Sequence, residues 1–218
     1  MTIPMTQAAS GGQTIAELVQ HATGQLRGES PSPALDAELL LGHALGCNRA
    51  FLHAWPERLI NPADSAMFLN LTARRARGEP VAYIIGEQEF WSLPLEVSAD
   101  TLIPRPETEL VVEQALTLLP AGRTARVADL GTGCGAIACA IAHDRPGWLV
   151  TATDRSDAAL AVARRNARRL HLTNIVFYSG HWFTALPHDR RFDAIVANPP
   201  YIAPDDPHLQ QGDLRFEP

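Results

Sequence analysis

The chain has 218 residues, 46% hydrophobic and 19% charged, enough to bury the core of one or two globular domains. Its net charge of −6 argues against a surface built mainly to grip nucleic acid and leaves room only for local basic patches; every basic side chain is arginine. Cys47, Cys134 and Cys139 are odd in number and lack paired CxxC spacing, so neither a disulfide framework nor a zinc site is indicated, and no run resembles a signal peptide or approaches the roughly 20 apolar residues of a membrane helix. A cytoplasmic protein is expected.

Residues 1–13 are small and polar, a loose leader, and order is expected from Thr14. There Thr14 and Glu17 form a capping box, and Ile15, Leu18, Val19, Ala22 and Leu26 recur at helical spacing until Gly28. A second helix takes Ser32 as cap and Pro33 as first residue, buries Ala37, Leu40, Leu41, Ala44 and Leu45, and stops at Gly46. A third is capped by Asn61 and opened by Pro62. Met67, Phe68 and Leu71 supply its apolar contacts, and Arg74, Arg75 and Arg77 suit its C-terminus before Gly78. With a short helical turn over 48–55 these make a helical bundle, a domain over 14–80.

From Val81 to Ser98 the period changes, and Tyr83, Ile84, Phe90, Trp91, Leu95 and Val97, broken by Gly86 and Pro94, read as short strands or a hairpin, with 81–101 as connector. The prolines at 104 and 106 then prescribe extended chain, and Glu107 and Glu109 favour the first turn of a helix running to Leu119. Beyond Gly122 strand and helix alternate, which predicts a parallel sheet with right-handed crossovers over 102–218. The fold class is therefore α/β, an N-terminal helical bundle followed by a doubly wound domain.

Three stretches of that domain carry chemistry. Asp129-Leu130-Gly131-Thr132-Gly133-Cys134-Gly135 lies where the first strand meets the first helix; its glycines permit a tight turn and close approach of a nucleoside-containing cofactor, although such a turn also serves purely structural ends. Asp154 ends the next strand about 20 residues on, where a carboxylate can accept both ribose hydroxyls, or else cap the helix near Ser156. Asn198-Pro199-Pro200-Tyr201 follows the apolar strand 192–197. Its rigid carbonyls, carboxamide and aromatic face suit a planar NH2 group, and the same residues also suit a plain Pro-rich turn.

A glycine-rich turn, a ribose acid and Asn-Pro-Pro-Tyr in that order resemble the class I methyltransferases, Rossmann-like enzymes that use S-adenosylmethionine. The segments 77–84, Glu89-Phe90-Trp91 and 102–109 narrow the resemblance to the release-factor glutamine methyltransferases, the HemK or PrmC family, over nearly the whole chain. The resemblance implies a protein-glutamine methyltransferase whose partners are peptide-chain release factors, with the helical domain recognising substrate. It implies cofactor contacts from Gly131, Thr132, Gly133, Cys134, Gly135, Asp154, Trp182 and Asn198. It also makes Asn198, Pro199, Pro200 and Tyr201 the substrate-binding and catalytic set. One departure is visible: Gly180-His181 stands where the family usually has an acidic residue near the adenine. The family's sheet continues with three more strands past the point matching Pro218, so an incomplete sheet with an exposed apolar edge at 194–196 is expected.

Other readings stay open. An adenine-amino DNA methyltransferase shares Asn-Pro-Pro-Tyr but needs a base-flipping site and a basic surface. A ribosomal-protein glutamine is a closer alternative acceptor, and a fragment acting only as a binding module is the non-enzymatic one. Trp182 also suits a core or edge position. Arg164, Arg165, Arg168 and Arg169 read as a solvated helix face. The eight histidines show no metal-ligand spacing, and Gly11-Gly12-Gln13, which matches the tripeptide this family modifies, is read as chance.

Overall fold

The computed structural model describes residues 12–120, 122–187, 189–199, 202, 206, 207 and 212–218. The chain divides into two compact units, Met1–Ile85 and Gly86–Pro218. No helix among the described residues is long and apolar enough to cross a membrane.

The first unit is helical: α1 (Ile15–Leu26), α2 (Pro33–Leu45), α3 (Arg49–Ala54), α4 (Pro62–Arg75) and α5 (Val81–Ile85). The capping box opens α1, with Glu17 N–H donating to Thr14 Oγ1 at 3.2 Å and Thr14 N–H to Glu17 Oε2 at 2.8 Å. Asn48 and Asn61 cap α3 and α4 through the amides of Phe51 and Asp64. Ser32 occupies the cap position of α2 without a side-chain capping bond, and Pro33, whose missing N–H needs no partner there, opens that helix instead. Ile15, Leu18, Leu40, Leu41, Phe68 and Leu71 form the core. Met67, expected among these contacts, is exposed.

One residue of this unit adds to the sequence reading and one segment departs from it. Arg75 lies in the last turn of α4 as expected, and it is buried there: its Nε donates to Asp36 Oδ2 of α2 at 2.6 Å, and the two side chains are only 3% and 9% exposed. Residues 81–85, expected as extended chain, form α5. The Pro80 carbonyl accepts the amides of Tyr83 and Ile84 at 3.0 Å, and Ala82 and Ile84 bury. The core thus overrides the strand preference of Val81, Ile84 and Ile85.

The second unit opens with an antiparallel hairpin, β1 (Glu87–Phe90) and β2 (Leu93–Glu96). Its two-residue turn places Trp91 and Ser92 at φ of 54° and 58°, a left-handed turn normally given to Asn-Gly. External bonds hold it: Trp91 N–H donates to Glu109 Oε1 at 2.7 Å and its indole N–H to Asp144 Oδ2 at 3.2 Å. A 3-10 turn, Pro106–Thr108, leads into α6 (Glu109–Leu118). The alternation β3 (Arg126–Leu130), α7 (Ala136–Asp144), β4 (Leu149–Asp154), α8 (Asp157–Arg169), β5 (Ile175–Ser179) and β6 (Ala194–Ala197) follows. The four strands are parallel in the order β5-β4-β3-β6. Ala136 through Ala142 of α7 are all buried, as a run of small and branched apolar residues beside a sheet requires. β6 pairs with β3 alone among the described residues and leaves Ile195 49% exposed.

Candidate active site

In a parallel sheet all strands end on the same side, and their carboxyl ends bring the separated motifs together. The register pairs Leu130 with Thr153 and with Ala197, and Asp154 with Ser179. The glycine turn after β3, Asp154 at the end of β4, Trp182 after β5 and Asn198 after β6 therefore stand along one rim. Pro199 is exposed beside Asn198. Pro200 and Tyr201 lie outside the described residues.

The glycine turn depends on backbone freedom at three positions. Gly131, Gly133 and Gly135 have φ of 73°, 57° and 86°, where an L side chain is strained. A Cβ on Gly131 or Gly133 would meet nothing within 4 Å, so the turn fronts open space; one on Gly135 would lie 3.0 Å from Ala163 Cβ, because there α7 and α8 pack closely. The Thr153 carbonyl takes the amides of Gly131 and Thr132 at 2.9 Å each, fixing the turn to β4.

Two carboxylates flank this turn. Asp154 accepts Gly133 N–H on Oδ2 and Ser156 N–H on Oδ1, both at 2.9 Å, and stays partly exposed. It is not the helix cap: Ser156 is, taking the amide of Ala159 on its own hydroxyl at 3.2 Å. Asp129 is fully buried beneath the turn. Its Oδ2 accepts the Thr132 hydroxyl at 2.6 Å, while Oδ1 meets no partner within hydrogen-bond geometry. Burial pushes this carboxyl up to about 6, against the pull of the Thr132 bond. Burial likewise pushes the Cys134 thiol up to about 12, so it stays protonated and unreactive.

Sequence reasoning missed Asn166. This fully buried carboxamide in α8 donates to the Cys134 carbonyl of the glycine turn at 2.9 Å and to the Glu96 carbonyl of β2 at 2.9 Å. It also accepts Glu96 N–H at 2.7 Å, tying hairpin, helix and turn together. An asparagine inside an arginine- and alanine-rich helix, where it disfavours the helix, was the available signal. Around it Arg165, Arg168 and Arg169 are exposed, as a charged helix face should be, and three of the four arginines also bond to neighbouring elements. Arg165 grips Glu96 in a two-pronged pair and holds that carboxyl below its ordinary range. Arg169 pairs with Glu87, and Arg164 donates to the Phe177 carbonyl at 3.3 Å.

Trp182 is 41% exposed with φ of 49°, so it is no core residue; its ring stands edge-on to His181 with centroids 6.2 Å apart. The Gly180 amide donates to the Asp154 carbonyl at 2.9 Å, which sets this aromatic pair beside the β4 end. Asn198 is half-buried, and its Nδ2 donates to Thr108 Oγ1 at 3.1 Å. No cluster of potential metal ligands occurs among the described residues.

Residues 108–211 match the family described as methyltransferase small domain, and residues 17–86 match the PrmC N-terminal domain. With its parallel sheet and the motifs along one rim, the chain is a methyltransferase. The release factor glutamine methyltransferase of Pseudomonas aeruginosa is 57% identical over 190 residues, which cover 87% of this chain and 68% of that protein. Those of Shewanella oneidensis and Coxiella burnetii are each 50% identical over 205 residues, covering 94% of this chain and 71% and 73% of theirs. The chain belongs to the release factor glutamine methyltransferase family.

Proposed function

We propose that the protein transfers a methyl group from S-adenosylmethionine to the side-chain amide nitrogen of a glutamine in peptide-chain release factors, in the cytoplasm, with the helical unit recognising the protein substrate. The observation that carries this reading is the position of Asn198, a carboxamide held at a strand end on the same rim as the open glycine turn and Asp154, in a chain of this family.

The residues present fit the cofactor. The space over Gly131 and Gly133 admits a ligand against the backbone, and Thr132, Cys134 and Gly135 complete the turn. Asp154 spends one lone pair per oxygen on backbone amides and keeps the others for two ribose hydroxyls. The exposed indole of Trp182 offers a flat face to adenine, beside Gly180-His181 in place of the family's usual acid. When bound, S-adenosylmethionine supplies a sulfonium methyl, a strong electrophile.

An amide nitrogen is a poor nucleophile because its lone pair is delocalised, so positioning does most of the chemistry. Asn198 Oδ1 and the Pro199 carbonyl accept the two amide hydrogens and aim the nitrogen; Pro200 and Tyr201 fill the family's remaining acceptor-binding positions. Methyl transfer would place positive charge on this nitrogen, where the fixed dipoles of Asn198 Oδ1 and the Pro199 carbonyl would stabilise it, and the surplus proton would leave to water. The test is mass spectrometry of a release factor incubated with the protein and S-adenosylmethionine, alongside Asn198→Ala. Methylglutamine from the wild type and a rate at least about 100-fold lower from the variant are expected. Methylated adenine in DNA, with no methylglutamine, overturns the reading.

A further inference from the structure

We propose that Thr108 is a positioning residue for the transfer: its hydroxyl holds the Asn198 carboxamide with the oxygen, not the NH2 end, toward the acceptor amide. The inference rests on the function proposed above. The two ends of an asparagine carboxamide are nearly the same size, and a half-turn about the last side-chain torsion exchanges them. For an incoming NH2 group the exchange is decisive, because an acceptor end attracts it and a donor end repels it. A hydrogen bond to one end of the carboxamide before the substrate arrives fixes its plane and favours one of the two arrangements.

Thr108 is placed to do so. Its Oγ1 lies 3.1 Å from Asn198 Nδ2, across 90 residues of sequence, and accepts from that donor end, while Oδ1 makes no hydrogen bond among the described residues. The hydroxyl has little freedom to wander. Thr108 is 9% exposed and closes the 3-10 turn Pro106–Thr108, with its own amide donating to the Arg105 carbonyl at 3.0 Å. The turn is pinned on both sides. Arg105 Nη2 pairs with Glu217 Oε1 at 2.6 Å, a carboxylate whose side chain is only 3% exposed, and Glu109 Oε1 receives the Trp91 amide at 2.7 Å. A rigid segment remote in sequence thus presents the Thr108 hydroxyl to the end of β6, where it accepts from Nδ2.

Thr108→Val keeps the shape and removes the acceptor; Thr108→Ser keeps the acceptor and removes a methyl. With a release factor as substrate, Thr108→Val is expected to lower kcat roughly tenfold, the worth of one hydrogen bond, with the unfolding midpoint close to wild type, and Thr108→Ser to restore most of the rate. Affinity for a glutamine peptide in the presence of S-adenosylhomocysteine supplies a second measurement. Thr108→Val weakens it in the wild-type background and adds nothing in the Asn198→Ala background. Thr108→Ala removes the same hydroxyl if the valine variant is unstable. Wild-type kcat in the hydroxyl-less variants, or an equal loss of peptide affinity with and without Asn198, overturns the positioning role while leaving the proposed function intact. Absence of methylglutamine from the wild type overturns both.

Discussion

Asp154 and Gly133 are joined by a 2.9 Å hydrogen bond in which the glycine amide donates to the carboxylate, so the acid assigned to the ribose also braces the turn assigned to the rest of the cofactor. Removing the carboxylate therefore has two consequences. Asp154→Ala is expected to weaken S-adenosylhomocysteine binding by about 10- to 100-fold, the range for losing charge-assisted bonds worth roughly 1.5 to 3 kcal/mol. Asp154→Asn keeps a neutral acceptor and should lose less. Calorimetric titration measures both, with circular dichroism to verify folding; undiminished affinity in a folded alanine variant would sink the ribose assignment.

Asp129 gives the domain a pH dependence whose sign is opposite to that of most carboxylates. Its buried carboxyl has risen from 3.8 to about 6, so between those values the folded chain keeps a proton that the unfolded chain has lost. Unfolding free energy from this group falls as pH rises from about 4 to about 6 and is level above, a loss on the order of 3 kcal/mol. Glu17, Glu79 and Glu96, held low by hydrogen bonds, contribute the opposite slope, but they do so equally in a variant and cancel in a difference. Asp129→Asn retains an acceptor for Thr132. Urea unfolding at several pH values should show its advantage over wild type growing through that window and then holding constant.

The parts of the fold and of the site legible in the sequence are those whose partners lie close along the chain. The capping box of Thr14 and Glu17, the glycine turn and the strand-ending Asp154 and Asn198 all announce themselves within a few residues. The invisible parts are held by distant partners: Asn166 to Cys134 across 32 residues, Arg75 to Asp36 across 39, Asn198 to Thr108 across 90. Polar residues in such roles have the local context of solvated ones: nothing near Arg75 in sequence marks Asp36 as its partner, and the α8 arginines, exposed as a charged face should be at Arg165 and Arg169, also pair with Glu96 and Glu87. Val81–Ile85 failed differently, since strand propensity there yields to Pro80 and to burial of Ala82 and Ile84.

Gly131 and Gly135 share a left-handed backbone but not their surroundings, which separates binding from stability. Alanine at either costs about 1 to 2 kcal/mol for its φ. At Gly135 the new methyl also meets Ala163 at 3.0 Å, so α7 and α8 must part, and overpacking adds roughly 1 to 3 kcal/mol. At Gly131 the methyl enters the open space in front of the turn. Gly135→Ala is thus expected to show the larger drop in thermal midpoint, and Gly131→Ala the larger loss of S-adenosylhomocysteine affinity per unit of stability lost. If Gly131→Ala binds like wild type, the open side of the turn is not where the cofactor lies.

The Asp36–Arg75 pair tests the helical unit by itself. Both side chains are nearly out of water, and Arg75 also donates to the carbonyls of Gly78 and Glu79 at 3.4 and 3.2 Å, so its charge fixes the chain leaving α4 as well as α2. Asp36→Ala removes the carboxylate that faces the guanidinium inside the core, a change that costs about 3 to 5 kcal/mol in buried pairs. A concerted Asp36→Leu and Arg75→Met replacement removes both charges and should recover most of that loss, because the desolvation cost of the pair disappears with it. Hydrogen exchange at Leu40, Leu41 and Phe68, at the centre of this core, reads the result directly. Protection at these amides is expected to fall by two orders of magnitude or more in the single variant, using the tenfold change per roughly 1.4 kcal/mol, and to return in the double variant. Unchanged protection in Asp36→Ala would mean that the packing of Leu18, Leu40 and Phe68 carries the unit without the ion pair.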